Sequence, residues 1–261
     1  MFSLLFLGGF MRCVVIHGSP RRGNTWTVLN IAKEEMRKKG EIEFIDIELR
    51  KENIPYCNGC FLCIYKGEDK CPHKEKINKI VNEIENSDAI IVTSPVYSMQ
   101  VSGILKTFID HMSYNFHRPK FFKKKALVIT TTAGAGHTSA AKYIKDVLYY
   151  WGFNFVETMP IAYRGMELNN KNIEIIKNKS AKFAEDLMSK QMHNPQVKSV
   201  FMYNLWRKSG ETPFKEGDAD YRYWNNSGLS KFVYHPDIKI GVFKRVIGNA
   251  TYKLIGGKVK S

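Results

Sequence analysis

The sequence predicts an α/β fold: a doubly wound, five-stranded parallel sheet with helices on both faces and a C-terminal extension. Three observations carry this prediction. Short apolar runs alternate with longer stretches of helical spacing from Met11 to about residue 190. The runs are apolar at successive positions, as strands covered on both faces must be. The segments between them are punctuated by Gly, Ser, Pro and Asn, which favour turns and caps.

Cys13 to Ile16 is the first strand, and it ends in Gly18-Ser19-Pro20. From Asn24 to Lys39, Trp26, Val28, Leu29, Ile31, Ala32 and Met36 lie near helical spacing, with Gly40 as the stop. Ile42 to Leu49 forms the second strand, and a cysteine-bearing loop follows from Asn53 to His73. Lys74 to Asn86 is a helix. Ala89 to Val92 is the third strand, broken by Ser94-Pro95 and followed by a helix that includes Ile104 to His111. Ala126 to Thr130 is the fourth strand, Thr131 to His137 a Gly-rich loop, and Thr138 to Trp151 a helix. Phe153 to Thr158 is the fifth strand, and a helix from Asn170 to Lys190 completes the last unit. Right-handed crossovers leave few ways to connect such units.

Composition narrows the function classes. The 261 residues are 44% hydrophobic and 25% charged, which excludes a disordered chain. The net charge of +15 points to an anionic partner, whether nucleotide phosphate, nucleic acid or lipid headgroup. Neither the arginine spacing nor the aromatics match a defined nucleic-acid module. No stretch approaches the roughly 18 to 20 apolar residues of a membrane span. Met1 to Phe10 is apolar but lacks the basic start and small-residue cleavage site of a secretory signal. We read residues 1–10 as a tail ahead of an alternative start at Met11, and expect a cytoplasmic protein. The domain is expected to span residues 11–191. Residues 192–261 form the extension, with 12 Lys or Arg against 5 Asp or Glu and no cysteine. Within it, Val197 to Trp206 has the pattern of an amphipathic helix, and Ile238 to Val259 is basic and apolar. The first is expected to dock on the core or a partner subunit, and core-covering structure is expected over membrane contact.

In an open parallel sheet, ligands bind beyond the carboxyl ends of the strands where strand order reverses. The loop after the first strand reads Gly18-Ser19-Pro20-Arg21-Arg22-Gly23-Asn24-Thr25 and runs into a helix. Glycine permits a tight backbone, hydroxyls hydrogen-bond, and the helix start offers free N–H groups and a favourable dipole. Arg21 or Arg22 can neutralise a phosphate. The spaced glycines of a dinucleotide fingerprint and the Gly-Lys-Ser/Thr of a Walker loop are both missing, so a monophosphate fits better. The loop after the third strand, Ser94 to Gln100, carries Tyr97, suited to a flat ring. The Gly-rich loop after the fourth lets backbone approach a ligand closely.

These motifs resemble the NADPH-dependent FMN reductase-like branch of the flavodoxin superfamily, over roughly Met11 to Lys190. The residues that carry the likeness are Gly18-Ser19-Pro20-Arg21 with Gly23-Asn24-Thr25, Ser94-Pro95-Val96-Tyr97 with Gly103 and Lys106, and the Gly-rich loop. The resemblance implies a flavodoxin-like strand order of 2-1-3-4-5. It implies an FMN phosphate on Ser19, Arg21, Asn24 and Thr25, and an isoalloxazine ring against Pro95, Val96 and Tyr97. Thr132, Ala133, Gly134 and Gly136 would border the ring's other side. It also implies a homodimer or homotetramer, since relatives often complete the flavin site across a subunit interface.

Cys57, Cys60, Cys63 and Cys71 fall within fifteen residues, and Pro72 follows the last. In a reducing compartment such clustering points to metal or redox chemistry over disulfides. Three cysteines at Cys-x2-Cys-x2-Cys spacing, with a fourth farther on, suit a 4Fe-4S cluster, though the last interval departs from the bacterial ferredoxin pattern. It is more similar to the compact motif of iron–sulfur flavoproteins, a sister group on the same fold. Redox-active free thiols and a tetrahedral zinc site are the other readings of these residues. Cys13 reads as a core residue and His73 as a surface one.

A flavin accepts hydride without a dedicated protein acid, so no catalytic residue is nominated. His111, His117 and His137 are placed near the pocket, in capping or surface roles. The expected function is an FMN-dependent oxidoreductase taking electrons from NAD(P)H or a ferredoxin-type donor. An electron carrier without turnover, and a scaffold binding an anionic partner through its extension, are the alternatives.

Overall fold

The structure, a computed structural model, describes residues 10–165, 167–211 and 218–256. The expected tail therefore lies outside the described residues, save for Phe10. Strand β1 (Met11–His17) leads to helix α1 (Asn24–Arg37), β2 (Ile42–Glu48) and the short helix α2 (Leu49–Glu52). The cysteine loop contains the one-turn helix α3 (Leu62–Tyr65) and a 3-10 turn at Glu68–Lys70. Then come α4 (Lys74–Glu85), β3 (Ala89–Tyr97), a two-residue strand β4 (Gln100–Val101) and α5 (Gly103–His111). A 3-10 turn at Ser113–Phe116 precedes β5 (Lys125–Thr132), α6 (His137–Tyr150), β6 (Phe155–Ala162) and α7 (Asn170–Ser189).

The long strands form a parallel sheet in the order β2-β1-β3-β5-β6, with β4 paired antiparallel to the end of β3. Because β4 only extends β3, β5 and β6 are the fourth and fifth long strands, and the order is the flavodoxin-like one. Order reverses between β1 and β3, so the crossovers that leave β1 through α1 and β3 through α5 run over opposite faces and open a crevice at the carboxyl ends of these two strands.

Strand periodicity divides the core. Val14, Ile16, Ile90, Val92, Ala126 and Val128 face α4, α5 and α6. Their alternates Cys13, Val15, Ala89, Ile91, Leu127 and Ile129 face α1 and α7. Both faces are covered, which is why the strands read as continuous apolar runs.

The extension continues as α8 (Val197–Ser209), α9 (Ala219–Asn226) and α10 (Val242–Gly256). Phe122, ahead of β5, inserts among Val200, Tyr203, Trp224, Tyr234 and Ile238 to build a third apolar cluster. Burying a side chain such as Phe122 or Ile238 is worth roughly 1.5–3 kcal/mol, so this contact anchors the extension to the core. Among the described residues, no helix is long and apolar enough to cross a membrane.

Candidate functional site

The chain leaves β1 at Gly18, whose N–H donates to the Thr93 carbonyl at 2.9 Å and whose carbonyl accepts from the Ser102 hydroxyl. A Cβ there would sit 2.5 Å from the Thr93 oxygen, so no larger residue passes between β1 and β3. The Ser19 hydroxyl donates to the Arg21 carbonyl at 2.6 Å and closes the turn. Helix α1 then starts at Gly23 with no side-chain cap and no acidic residue in its first turn. The N–H groups of Trp26 and Thr27 donate to the Gly23 carbonyl, which leaves those of Asn24 and Thr25 at the positive end of the dipole.

Those groups open into a cleft of about 280 Å³. Its walls are Ser19, Arg21, Asn24 and Thr25 from the first loop, Pro95, Val96 and Tyr97 from β3, and Thr131, Thr132 and Ala133 from β5. Thr25 and Thr131 meet hydroxyl to hydroxyl at 2.6 Å on the cleft floor. The two loop arginines separate in role. Arg22 reaches away to Glu48 at 2.8 Å and lies over the Trp26 ring at 4.6 Å. Arg21 lines the cleft and makes no ion pair with the described residues. Hydrogen bonds from Lys51, Arg22 and Arg50 hold the Glu48 carboxyl down at about 2. At the same end of β1, His17 is buried, stacks on Trp26 and meets Asp46 at 2.6 Å, while Lys33 meets the same carboxylate at 2.5 Å. Burial opposes ionisation of Asp46, but these two hydrogen bonds hold its carboxyl below the usual range.

The segment from Pro95 to Tyr97 differs from the expected open loop. It extends β3, turns at Ser98 and Met99, and returns as β4 with Val96 opposite Val101 and Tyr97 opposite Gln100. Ser98 and Met99 have φ of 47° and 66°, the left-handed values that a two-residue hairpin turn requires. Gly134 and Gly136 do not line the cleft either. The Gly134 N–H donates to Thr132 Oγ1 at 3.1 Å, closing the loop on itself. Gly136, at φ 88°, packs under the hairpin, where a Cβ would lie 2.9 Å from the Met99 Cα.

The four clustered cysteines line a second, smaller pocket of about 60 Å³ at the same sheet edge. All are free thiols; Cys57 and Cys60 are exposed, and Cys63 and Cys71 half-buried. Burial and the neighbouring Cys71 push the Cys63 thiol up, against a Ser113 hydrogen bond and the Arg118 charge. His111 belongs here and not to the larger cleft. Its Nδ1 lies 3.9 Å from Cys71 Sγ, and its Nε2 2.7 Å from the Pro55 carbonyl. His73, expected at the surface, sets its ring edge-on to His111 at 5.5 Å, with Nε2 buried and without a hydrogen-bond partner among the described residues. His117 stacks on Trp206 at 3.6 Å, and His137 opens α6, so neither lines the cleft or the cysteine pocket. Among the described residues, no three His, Cys, Asp or Glu side chains converge on a point where one metal ion would sit.

A third depression, lined by Pro20, Leu49, Ile54, Tyr56, Tyr97 and Ile104 among others, lies beside the larger cleft. It shares Tyr97 with the larger cleft and reaches Tyr56, next to Cys57.

Comparison with known proteins places this architecture. Residues 11–163 match the family model of NADPH-dependent FMN reductases. An iron-sulfur flavoprotein of Archaeoglobus fulgidus is 32% identical over 228 residues, which cover 84% of this chain and 100% of that protein. An FMN-dependent NADH:quinone oxidoreductase of Clostridium perfringens is 26% identical over 58% of this chain and 82% of its own length. The solved NAD(P)H:quinone oxidoreductase from Methanothermobacter marburgensis shares the fold, with a TM-score of 0.54 at 18% identity over 71% of this chain and 100% of that one. The chain belongs to the NADPH-dependent FMN reductase family, and is a flavin-dependent oxidoreductase with the flavodoxin-like fold, close to the iron–sulfur flavoproteins.

Proposed function

We propose that the chain takes electrons from NAD(P)H or a ferredoxin-type donor through FMN, and that Cys57, Cys60, Cys63 and Cys71 hold a 4Fe-4S cluster that exchanges electrons with the flavin. One observation carries the reading: a cleft suited to a flavin phosphate and a pocket lined by four free thiols share one sheet edge, and a depression that shares Tyr97 with the cleft reaches Tyr56, the chain neighbour of Cys57.

The cleft fits FMN on its own chemistry. Uncapped N–H groups of α1, the Thr25 and Thr131 hydroxyls and the Arg21 guanidinium converge where a dianionic phosphate would lie. Pro95 to Tyr97 form a rigid wall for the ring, because the hairpin pairing holds them in place. Bound FMN supplies two-electron hydride acceptance and one-electron release. The protein's part is to bind the phosphate, hold the ring against the hairpin and leave Tyr97 and Met99 at an accessible mouth.

The thiols suit a multi-iron cluster better than a single ion. Zinc ligands usually come as two separated pairs, whereas three of these cysteines follow one another at two-residue spacing and the fourth comes from farther along the same loop. The quinone reductases among the relatives support a quinone-type acceptor. A second copy of the chain, completing the flavin mouth, is part of the proposal.

The deciding experiment is an absorption spectrum of anaerobically purified protein, with iron, sulfide and EPR measurements. Flavin bands with equal iron and sulfide are expected. Flavin without iron after anaerobic reconstitution removes the cluster and leaves redox-active thiols. Steady-state NAD(P)H oxidation with a quinone separates an enzyme from an electron carrier.

A further inference from the structure

Arg118 connects the cysteine loop to the C-terminal extension. Its side chain is only 4% exposed, although nothing in the flavin cleft requires a buried cation there. The guanidinium donates to the Cys63 carbonyl at 2.5 Å, to the Ile64 carbonyl at 3.1 Å and to the Glu68 carboxylate at 3.1 Å, all within the cysteine loop. It also donates to the carboxylate of Asp220, in the first turn of α9.

Asp220 is itself held from two sides. His117 Nδ1 lies 2.7 Å from its second oxygen, and the His117 ring is stacked on Trp206 of α8 at 3.6 Å. On the same helix, Arg222 donates to the Lys66 carbonyl at 2.8 Å, and the Tyr223 hydroxyl donates to the Pro119 carbonyl. The loop segment from Cys63 to Glu68 is thus held at both ends by Arg118, which Asp220 of α9 fixes, and between them by Arg222 of α9 at Lys66. A buried guanidinium whose two terminal nitrogens each make two hydrogen bonds, and which is flanked by carboxylates, fixes backbone geometry, because each lost partner would leave a buried charge or carbonyl unsatisfied.

We propose that Arg118 and Asp220 are positioning residues of the cysteine site: they fix the backbone that carries Cys63 and set the charge felt at that thiol, which makes the extension a working part of the redox site. The electrostatic half rests on the cluster reading above; the geometric half does not. A cation beside a ligand backbone stabilises the more electron-rich state of an iron–sulfur centre, and a nearby anion does the reverse. Arg118→Gln removes the cation, and Asp220→Asn removes the anion while keeping an acceptor for Arg118.

The test uses the full chain, with FMN content as the check of folding. In metal-free protein, the rate at which a maleimide labels Cys63, read by peptide mapping, is expected to rise at least tenfold in Arg118→Gln and Asp220→Ala. An unchanged rate in both overturns the proposal. In reconstituted protein, EPR-monitored titration is expected to give a lower midpoint potential for Arg118→Gln and a higher one for Asp220→Asn, with Arg118→Lys close to wild type. Shifts in the same direction for the first two would show a prop without electrostatic control and overturn that half. Wild-type protein that takes up no iron overturns the cluster reading and the electrostatic half with it, while the labelling rates still decide the geometric half.

Discussion

The hydroxyls of Thr25 and Thr131 meet at 2.6 Å on the floor of the larger cleft, joining the first turn of α1 to the end of β5. The contact crosses the crevice where strand order reverses, so it reports on cofactor binding and on sheet closure together. A buried hydrogen bond of this kind is worth about 0.5–1.5 kcal/mol. Replacing Thr25 with Val keeps the shape and removes the bond. FMN affinity, measured by quenching of flavin fluorescence, should fall about tenfold, and urea stability by about 1 kcal/mol.

The two loop arginines should separate by function. Arg21→Ala removes the cation that faces the cleft, and loss of a charged hydrogen bond costs about 1.5–3 kcal/mol, so FMN should dissociate roughly 10- to 150-fold more readily. Arg22→Ala should leave FMN binding within about twofold, because its guanidinium is committed to Glu48. Equal losses in the two variants would refute this division.

Glu48 gives a pH signature. Its carboxyl is held at about 2, against an ordinary value of 4.5, so the stability it contributes is fully present above pH 4.5 and is lost as pH falls toward 2. Glu48→Gln should be less stable than wild type at pH 6, and the gap should close between pH 4.5 and 2. Urea unfolding at pH 6, 4 and 3 would show a constant gap if the carboxylate plays no such role.

The cysteines should divide in the same manner. Cys13 is fully buried in β1, and its thiol is pushed far up by burial. Cys13→Ser should cost about 1–3 kcal/mol of stability, by burying a hydroxyl in an apolar site, and leave bound iron unchanged. Cys60→Ser, at an exposed position, should leave the melting temperature of the iron-free protein unchanged and abolish stable iron uptake. Iron analysis after anaerobic reconstitution, beside thermal melts, checks both.

The hairpin beside the cleft carries strain. A non-glycine residue in the left-handed region costs roughly 1–2 kcal/mol, and Ser98 and Met99 both sit there. Met99→Gly should raise stability by about 1 kcal/mol in urea unfolding, with FMN retained. An unchanged or lower midpoint would show that the Met99 side chain compensates through contacts of its own.

How much of this was legible depends on the range of each interaction. The loop from Gly18 to Thr25 could be read because a strand, a tight turn and a helix start are consecutive in the chain. The clustered cysteines could be read for the same reason. The hairpin at Ser98 and Met99 could not, since neither residue is the Asn or Gly that signals a left-handed turn. Gly134 and Gly136 look like ligand-approach glycines, yet one closes its own loop and the other makes room for Met99. The Arg118–Asp220 pair spans 102 residues, and no local pattern marks one arginine among many as the partner of one aspartate. His73 reads as a surface residue until the fold brings His111 against it.

The grip of α9 on the cysteine loop also has a consequence in time. Arg222 lies 156 residues after its acceptor Lys66, so during synthesis the loop emerges long before the helix that holds it. At about 5–20 residues per second, that interval lasts roughly 8–30 s. For that period the segment from Cys63 to Glu68 lacks the contacts that Asp220 and Arg222 later supply. The order of synthesis therefore makes the extension the last part of the described chain to reach the cysteine loop.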